Sequence, residues 1–321
     1  MDIHLLLDNL TNPALLFFFL GIIAVRLKSD LEIPANSSKF ISLYLLFSIG
    51  FKGGQELAHS HFDFSLLWSL AFGILLAAII PVYTFFILKK RFNIYNASAV
   101  AASYGSVSAV TFVTAISFLE LQNIPFDGHM VAVMALMEAP SIIVGVFLLS
   151  ACKKDKSKVN YGGILKHAFT NGSVLLILGC LLIGFVASEK QAAGIKPFTT
   201  DIFKGFLAIF LLDMGISSGK KLQSFFKKGW FPFAFAIVIP AINGVLVAII
   251  SQWVTPDVGN RFIYAILAAS ASYIAVPAAM QLVNPKSNPS LYLPMALGIT
   301  FPFNITLGMP LYMAVIMATG G

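Results

Sequence analysis

The segment Ala97–Phe118 reads ASAVAASYGSVSAVTFVTAISF and contains no charged residue. An apolar segment of about 20 residues is long enough to cross the hydrocarbon core of a bilayer as a helix. Its middle is unusual, because residues Ser103 to Thr111 combine hydroxyl side chains with Gly105. Glycine loses more conformational freedom in a helix than any other residue. The segment therefore predicts a transmembrane helix with a weak point near its centre.

A second segment, Phe262–Val283, has a similar centre, with Ser270 and Ser272 shortly before Pro277. Proline lacks an N–H and can break or kink a helix. A broken helix exposes N–H groups and a positive dipole end, which suit an anion without a buried Lys or Arg. The alternative is that small residues only let helices pack closely. We predict an anion site formed by Gly105, Ser106, Val107, Ser108, Thr111, Ser270, Ala271, Ser272 and Tyr273.

The whole chain is too apolar for a soluble protein. Its 321 residues are 58% hydrophobic and 11% charged, with a mean hydropathy of +0.86, whereas soluble domains are about 25% charged. Lipid forces spanning segments to be helical, because backbone groups find no water there. Ten segments qualify: near Asn12–Val25, Phe40–Phe51, Leu66–Leu88, Ala97–Phe118, His129–Cys152, Ser173–Ala187, Phe203–Ile216, Trp230–Trp253, Phe262–Val283 and Leu291–Ala318.

The basic residues predict the orientation of these helices. Of the 21 Lys and Arg residues, all but five fall on one side of the predicted membrane, and the exceptions are Lys52, Lys190, Lys196, Lys204 and Arg261. The richer side should be cytoplasmic, so both termini should lie outside. The net charge of +7 is explained by loops that face anionic lipid. With no nucleic-acid motif in the chain, we expect no nucleic-acid partner.

The two halves of the sequence resemble each other. The segment Ile41–Leu57 aligns without a gap to Phe206–Leu222, which places Gly50 on Gly215 and Gly54 on Gly219. Five predicted helices precede the basic linker, so the halves should have opposite orientations, as in alternating-access transporters. The predicted fold is an all-α integral membrane protein with ten transmembrane helices in two inverted five-helix repeats. The repeats are residues 1–152 and 170–321, and residues 153–169 form a short cytoplasmic linker.

Glu138 lies deep in the fifth predicted helix, two residues before Pro140. A carboxylate in the membrane costs a few kcal/mol and is by default a functional group. The alternative is a protonated Glu138 hydrogen-bonded to a neighbouring helix, and Asp213 is a weaker candidate on the seventh helix. Sodium prefers oxygen ligands. In the tenth predicted helix, Pro302 loosens the backbone, and the nearby Asn304 and Thr306 offer further oxygens. We predict sodium bound by Glu138, Ser103, Asn304 and Thr306.

The histidines indicate neither a metal site nor a catalytic centre. His59 and His61, with Glu56 and Asp63 nearby, lie in a predicted external loop, where a solvated surface is the simpler interpretation. His129 and His167 lie at predicted helix ends and are interpreted the same way. No zinc-protease, nucleophile-elbow or phosphate-loop motif is present. We therefore expect no metal beyond sodium and no enzyme activity.

Over essentially its whole length the chain resembles the sodium-dependent bicarbonate permease family, the type known from cyanobacteria. The resemblance rests on residues 105–111 with Leu119-Glu120, 137–140, 268–272 with Pro277, and 288–292. It implies a mobile core of helices 3–5 and 8–10, and a scaffold of helices 1, 2, 6 and 7 that forms a homotrimer. It also implies elevator-type, sodium-coupled import of bicarbonate or a similar small anion through a bacterial cytoplasmic membrane. The anion would bind where the broken fourth and ninth helices cross.

The sequence departs from the family pattern in three places. Tyr273 replaces an acidic residue, Glu138 replaces an Asp, and the insertion between the halves is reduced to Cys152–Lys166. The identity of the anion, the sodium stoichiometry and the binding of a PII-like regulator therefore stay open. Two alternatives remain: a sodium- or proton-coupled transporter of another organic anion on the same architecture, and a non-transporting membrane sensor.

Overall fold

A computed structural model describes residues 11–59, 64–152, 162–163, 166, 170, 172–225 and 229–320. Across these residues the chain is helical and contains no strand, as predicted. Most of the predicted linker, together with His61, Asp63 and His167, lies outside the described residues. The first part of the chain forms α1 (Pro13–Arg26), α2 (Ala35–Ala58), α3 (Phe64–Leu88), α4 (Ile94–Gly105), α5 (Ala109–Leu121) and α6 (His129–Cys152).

The second part of the described chain continues with seven further helices, together with a π-helical turn at Pro197–Asp201 and a 3₁₀ turn at Ser251–Trp253. These helices are α7 (Gly172–Val186), α8 (Glu189–Lys196), α9 (Phe203–Phe225), α10 (Trp230–Ile250), α11 (Val258–Ala269), α12 (Ala275–Val283) and α13 (Pro289–Ala318). In α13 the α-helical turns alternate with π-helical turns at Pro294–Thr300 and Asn304–Gly308. Such π turns are often found at functional sites.

Several helices are long and apolar enough to cross a membrane. By length and composition, six stretches of the described residues qualify: Phe64–Leu88, Ile94–Leu121, His129–Cys152, Glu189–Leu222, Trp230–Trp253 and Pro289–Ala318. Three shorter helices, α1, α7 and α11, are also apolar. The chain is therefore a multi-pass membrane protein.

Helices α2 and α9 extend well beyond the short apolar segments that predicted them. The sequence prediction ended at Phe51 and Ile216, whereas these helices end at Ala58 and Phe225. The added turns contain Gly, Ser, Lys and Gln, which lower hydropathy without preventing helix formation. Some of these polar side chains form hydrogen bonds inside the protein: the Gln55 side chain donates to the carbonyls of Gly184 and Ala187.

Glycines bring two pairs of helices into close contact. A Cβ on Gly50 or Gly54 of α2 would lie 2.8 Å or 2.1 Å from backbone oxygens of α7. A Cβ on Gly215 of α9 would lie 2.0 Å from the Phe18 oxygen of α1, and one on Gly219 would lie 3.1 Å from Val25. The absence of a side chain allows this close approach. The glycines that align in the sequence therefore occupy packing interfaces of the same kind.

Most of the remaining helices pack in two groups, and each group contains a long helix with an internal proline. Helix α3 contacts α4 and α6, and α10 contacts α11 and α13. Pro81 and Pro240 lie inside α3 and α10. The two groups meet through α5 and α11, which brings the interrupted helices together at the centre.

Candidate functional site

The first interruption separates α4 from α5. Helix α4 ends at Gly105, and Ser106 to Ser108 are not helical. Ser108 is the N-cap of α5, and its hydroxyl accepts a hydrogen bond from the Thr111 N–H at 3.2 Å. Such caps satisfy an N–H that has no partner within the helix. The predicted weak point is a true break that begins a new helix.

The second interruption separates α11 from α12. Residues Ser270 to Ile274 are not helical, and the Ser272 hydroxyl accepts from the Val276 N–H at 3.3 Å. Pro277 lies in the first turn of α12, where its missing N–H costs nothing. Pro277 therefore follows the break and starts the new helix, whereas the sequence placed the break at the proline itself.

The two breaks cross and are hydrogen-bonded to each other. The Ser272 N–H donates to the Ser103 carbonyl at 2.8 Å, and the Ser103 hydroxyl donates back to the Ser272 carbonyl. The Ser108 N–H donates to the Ser270 hydroxyl at 3.0 Å. All four residues are buried. Backbone groups released by the breaks are thus satisfied across the crossing.

The beginning of α5 still offers unpaired donors. The Thr111 N–H is capped, but no described group accepts from the N–H groups of Ala109 and Val110. Both residues line a small cavity of about 20 Å³ at the crossing, which we call the inner cavity. Helix N-termini carry a partial positive charge and bind anions. Among the described residues, no Lys or Arg lines this cavity.

Five residues of the predicted site line the inner cavity: Val107, Ser108, Ser272, Tyr273 and Glu138. Glu138 belongs to α6, and its carboxylate is the one that the described residues supply to the lining, beside the start of α5. Hydroxyl groups and a carboxylate are oxygen ligands, and hard cations prefer such ligands. This part of the predicted set can therefore serve both an anion and Na⁺.

The structure places the other predicted sodium ligands elsewhere. Ser103 is bonded to Ser272 as described, and Thr306 donates to the Pro302 carbonyl of its own helix at 2.7 Å. The Asn304 amide donates to the Ala269 carbonyl at 2.8 Å and its oxygen accepts from Tyr312 at 3.0 Å. Asn304 thus caps the broken end of α11. None of the three lines the inner cavity.

The remaining predicted anion ligands surround the crossing without lining the cavity. Gly105 packs against Pro81, since a Cβ there would lie 2.2 Å from the proline ring. Thr111 and Ala271 are buried, and Ser270 is used by Ser108. The hydroxyl of Ser106 is buried and has no hydrogen-bond partner in the described structure. It is available to a ligand that reaches the break.

A larger cavity of about 500 Å³ adjoins the inner cavity. We call it the vestibule; α2 and α9 supply most of its lining, including Lys39, Lys220 and Lys221. Four residues line both cavities: Ser42, Ser173, Tyr273 and Ile274. The vestibule therefore lies between the crossing and the side that carries these lysines.

The sequence did not identify the lining supplied by α2 and α7. Ser42 lies inside α2 and Ser173 lies at the start of α7, and no local pattern distinguishes either serine. Asp213, the weaker candidate, lies inside α9; it is buried and accepts a hydrogen bond from Ser38. It lines the vestibule and not the inner cavity.

The histidines lie away from the crossing. His59 donates to the Gln55 carbonyl at 2.8 Å, and its other nitrogen is 3.3 Å from Glu189. Both contacts raise the pKa of His59, and the hydrogen bond to the backbone has the larger effect. His129 is hydrogen-bonded to Ser69 at 2.8 Å. Within the described residues there is no group of three or more His, Cys, Asp or Glu that could hold a metal ion.

Comparison with known families shows which family the chain matches. The model of the Na⁺-dependent bicarbonate transporter superfamily matches residues 13–317 of the chain, and no curated protein matches it. The chain therefore belongs to the Na⁺-dependent bicarbonate transporter superfamily, as the resemblance predicted. Membership makes it a membrane transporter, with Na⁺ as the coupling ion.

Proposed function

We propose that this member of the superfamily imports bicarbonate, or an anion of similar size, together with Na⁺. One observation carries the proposal: the crossed helix breaks bring the start of α5 and the Glu138 carboxylate into one small cavity. The cavity offers donors for an anion and oxygens for a cation at the same place.

The anion is assigned to the start of α5. The free N–H groups of Ala109 and Val110 point along the helix dipole, and the Ser106 hydroxyl is unpaired nearby in the chain. Hydrogen bonds to charged groups contribute about 1.5–3 kcal/mol each, more than neutral ones. Neutral donors can therefore hold a small anion here, without a lysine or arginine.

Sodium is assigned to Glu138, together with the hydroxyls of Ser108 and Ser272. An ionised carboxylate in the same cavity repels an anion, because like charges in a poorly solvated site are costly. A bound Na⁺ removes that repulsion and adds attraction. This explains coupling physically: the anion binds well only when the cation is present.

Alternating access is assigned to movement of the breaks relative to α1, α2, α7 and α9. The packing supports the proposed inverted repeats, because aligned glycines lie in the α2–α7 and α1–α9 interfaces. Residues 1–152 and 170–321 would be the two repeats, joined by the linker 153–169. The groups α3–α6 and α10–α13 would move as the core.

The structure corresponds to an inward-facing state in this proposal. The vestibule carries Lys39 and Lys220, which belong to the predicted cytoplasmic side. At the opposite end, Glu120 of α5 is 3.2 Å from Lys52 of α2 and 3.8 Å from Lys204 of α9. These ion pairs join the proposed core to the proposed scaffold on the outer side.

Uptake of radiolabelled bicarbonate into proteoliposomes tests the function. We expect uptake in an inward Na⁺ gradient and little uptake in an equal K⁺ or choline gradient. Alkaline buffer keeps the label as bicarbonate, and protein-free liposomes measure leakage. Equal uptake in the Na⁺ and K⁺ gradients would overturn the coupling. Na⁺-driven uptake of a larger organic anion, with none of bicarbonate, would overturn the assignment of the substrate.

A further inference from the structure

Tyr273 lies between the inner cavity and the vestibule. It belongs to the non-helical stretch between α11 and α12 and lines both cavities. Its side chain is the largest among the four residues shared by the two cavities. Tyr273 therefore lies at the boundary between the crossing and the vestibule.

The Tyr273 hydroxyl contacts two other side chains, of which one is Ser108 of the inner cavity. The same hydroxyl donates to the Met214 sulfur of α9 at 3.6 Å, and a thioether is a weak acceptor. The neighbouring Ser272 is firmly held by its backbone bonds to Ser103. Rotation of the Tyr273 side chain therefore breaks only these hydroxyl contacts and leaves the backbone bonds of the crossing in place.

The volumes require such a movement if the crossing is to hold an anion. The inner cavity measures about 20 Å³ and the vestibule about 500 Å³. A single water needs about 10–15 Å³ on this scale. The inner cavity therefore holds about one water with the ring in place, which is too little for an anion of four heavy atoms.

We propose that Tyr273 is the gate between the crossing site and the vestibule, and that its ring limits the size of the anion. In the observed position the ring closes the crossing, and displacement toward the vestibule joins the two cavities. The size limit rests on the proposed function, whereas the gate does not.

Cysteine accessibility tests the gate without any transport. Val107 lines only the inner cavity and Ser217 lines only the vestibule, so V107C and S217C report on the two spaces. Both are made in a chain whose native Cys152 and Cys180 are replaced. Labelling with a small charged methanethiosulfonate reagent is then compared between native Tyr273 and two variants.

We expect Tyr273→Ala to raise the labelling rate of V107C at least tenfold. Tyr273→Phe keeps the ring, so its rate should match that of the native residue, and S217C should react equally in all three backgrounds. If the alanine variant does not fold, Tyr273→Leu replaces it. Equal V107C rates for native, alanine and leucine side chains in folded protein would overturn the gate.

Competition by anions of increasing size tests whether the Tyr273 ring limits the size of the anion. In Tyr273→Ala, we expect an anion larger than bicarbonate to inhibit Na⁺-driven uptake at least tenfold more strongly than in the native protein. Unchanged inhibition, with a rise in V107C labelling, would overturn the size limit and leave the gate. Absence of bicarbonate uptake in the native protein would instead refute the proposed function.

Discussion

Replacing Gly105 by alanine should destabilise the protein through packing between α3 and α4. The added Cβ would lie 2.2 and 2.4 Å from two ring carbons of Pro81 and 2.6 Å from the Ser141 hydroxyl. Carbon atoms at rest lie about 3.5–4.0 Å apart, so the helices must separate by about 1 Å or more. A proline ring inside a helix cannot rotate away. The clash therefore falls on the backbone.

The expected cost follows from three contributions. Overpacking of this kind costs about 1–3 kcal/mol. The Ser141 hydroxyl also donates to the Ala102 carbonyl at 2.8 Å, and loss of that bond adds about 0.5–1.5 kcal/mol. The better helix propensity of alanine recovers up to about 1 kcal/mol. We expect a net loss of about 0.5–3.5 kcal/mol.

Thermal unfolding of the purified protein in detergent measures this effect. Gly105→Ala should melt several degrees below the native protein, while Na⁺ and anion affinities of the folded fraction stay unchanged, because Gly105 does not line the inner cavity. Gly179→Ala is the matched control: no atom lies within 4 Å of its Cβ position, so it should be neutral or slightly stabilising. An undiminished melting temperature for Gly105→Ala, or an equal loss for Gly179→Ala, would refute the reasoning.

Three further predictions concern the charges and hydroxyls. Glu138→Gln keeps the shape and removes the charge, so the Na⁺ concentration for half-maximal uptake should rise at least tenfold; an unchanged value would contradict the sodium assignment. Ser108→Ala removes the N-cap of α5, worth about 0.5–2 kcal/mol, and Ser272→Ala removes the acceptor of the Val276 N–H. Because both hydroxyls are assigned to Na⁺, each change should raise the Na⁺ concentration for half-maximal uptake severalfold without abolishing uptake; losses of Na⁺ affinity that follow melting temperature alone would assign both hydroxyls to packing. A double-mutant cycle of Lys52→Ala and Glu120→Ala should give a coupling of at most about 1 kcal/mol, because the pair is partly exposed to solvent; a coupling above about 3 kcal/mol would show a desolvated pair.

The sequence was most informative where the chemistry is local. The break at Gly105 and the break before Pro277 were both visible as small and hydroxyl residues inside apolar segments. Glu138 was visible because a carboxylate in such a segment is costly. The full length of α2 was not visible, because Lys52 and Gln55 resemble a loop until their partners on other helices are known.

By itself, the sequence determined that the chain crosses a membrane as helices and that two of them are interrupted. Hydropathy, glycine and proline act on their immediate neighbours, so their effects can be read in order along the chain. Tertiary structure alone decided which polar groups share a cavity. It joined Ser103 to Ser272 and placed Glu138 beside α5, while Asn304 was used to cap the end of α11. Such choices depend on the distances between helices far apart in sequence, which no local pattern encodes.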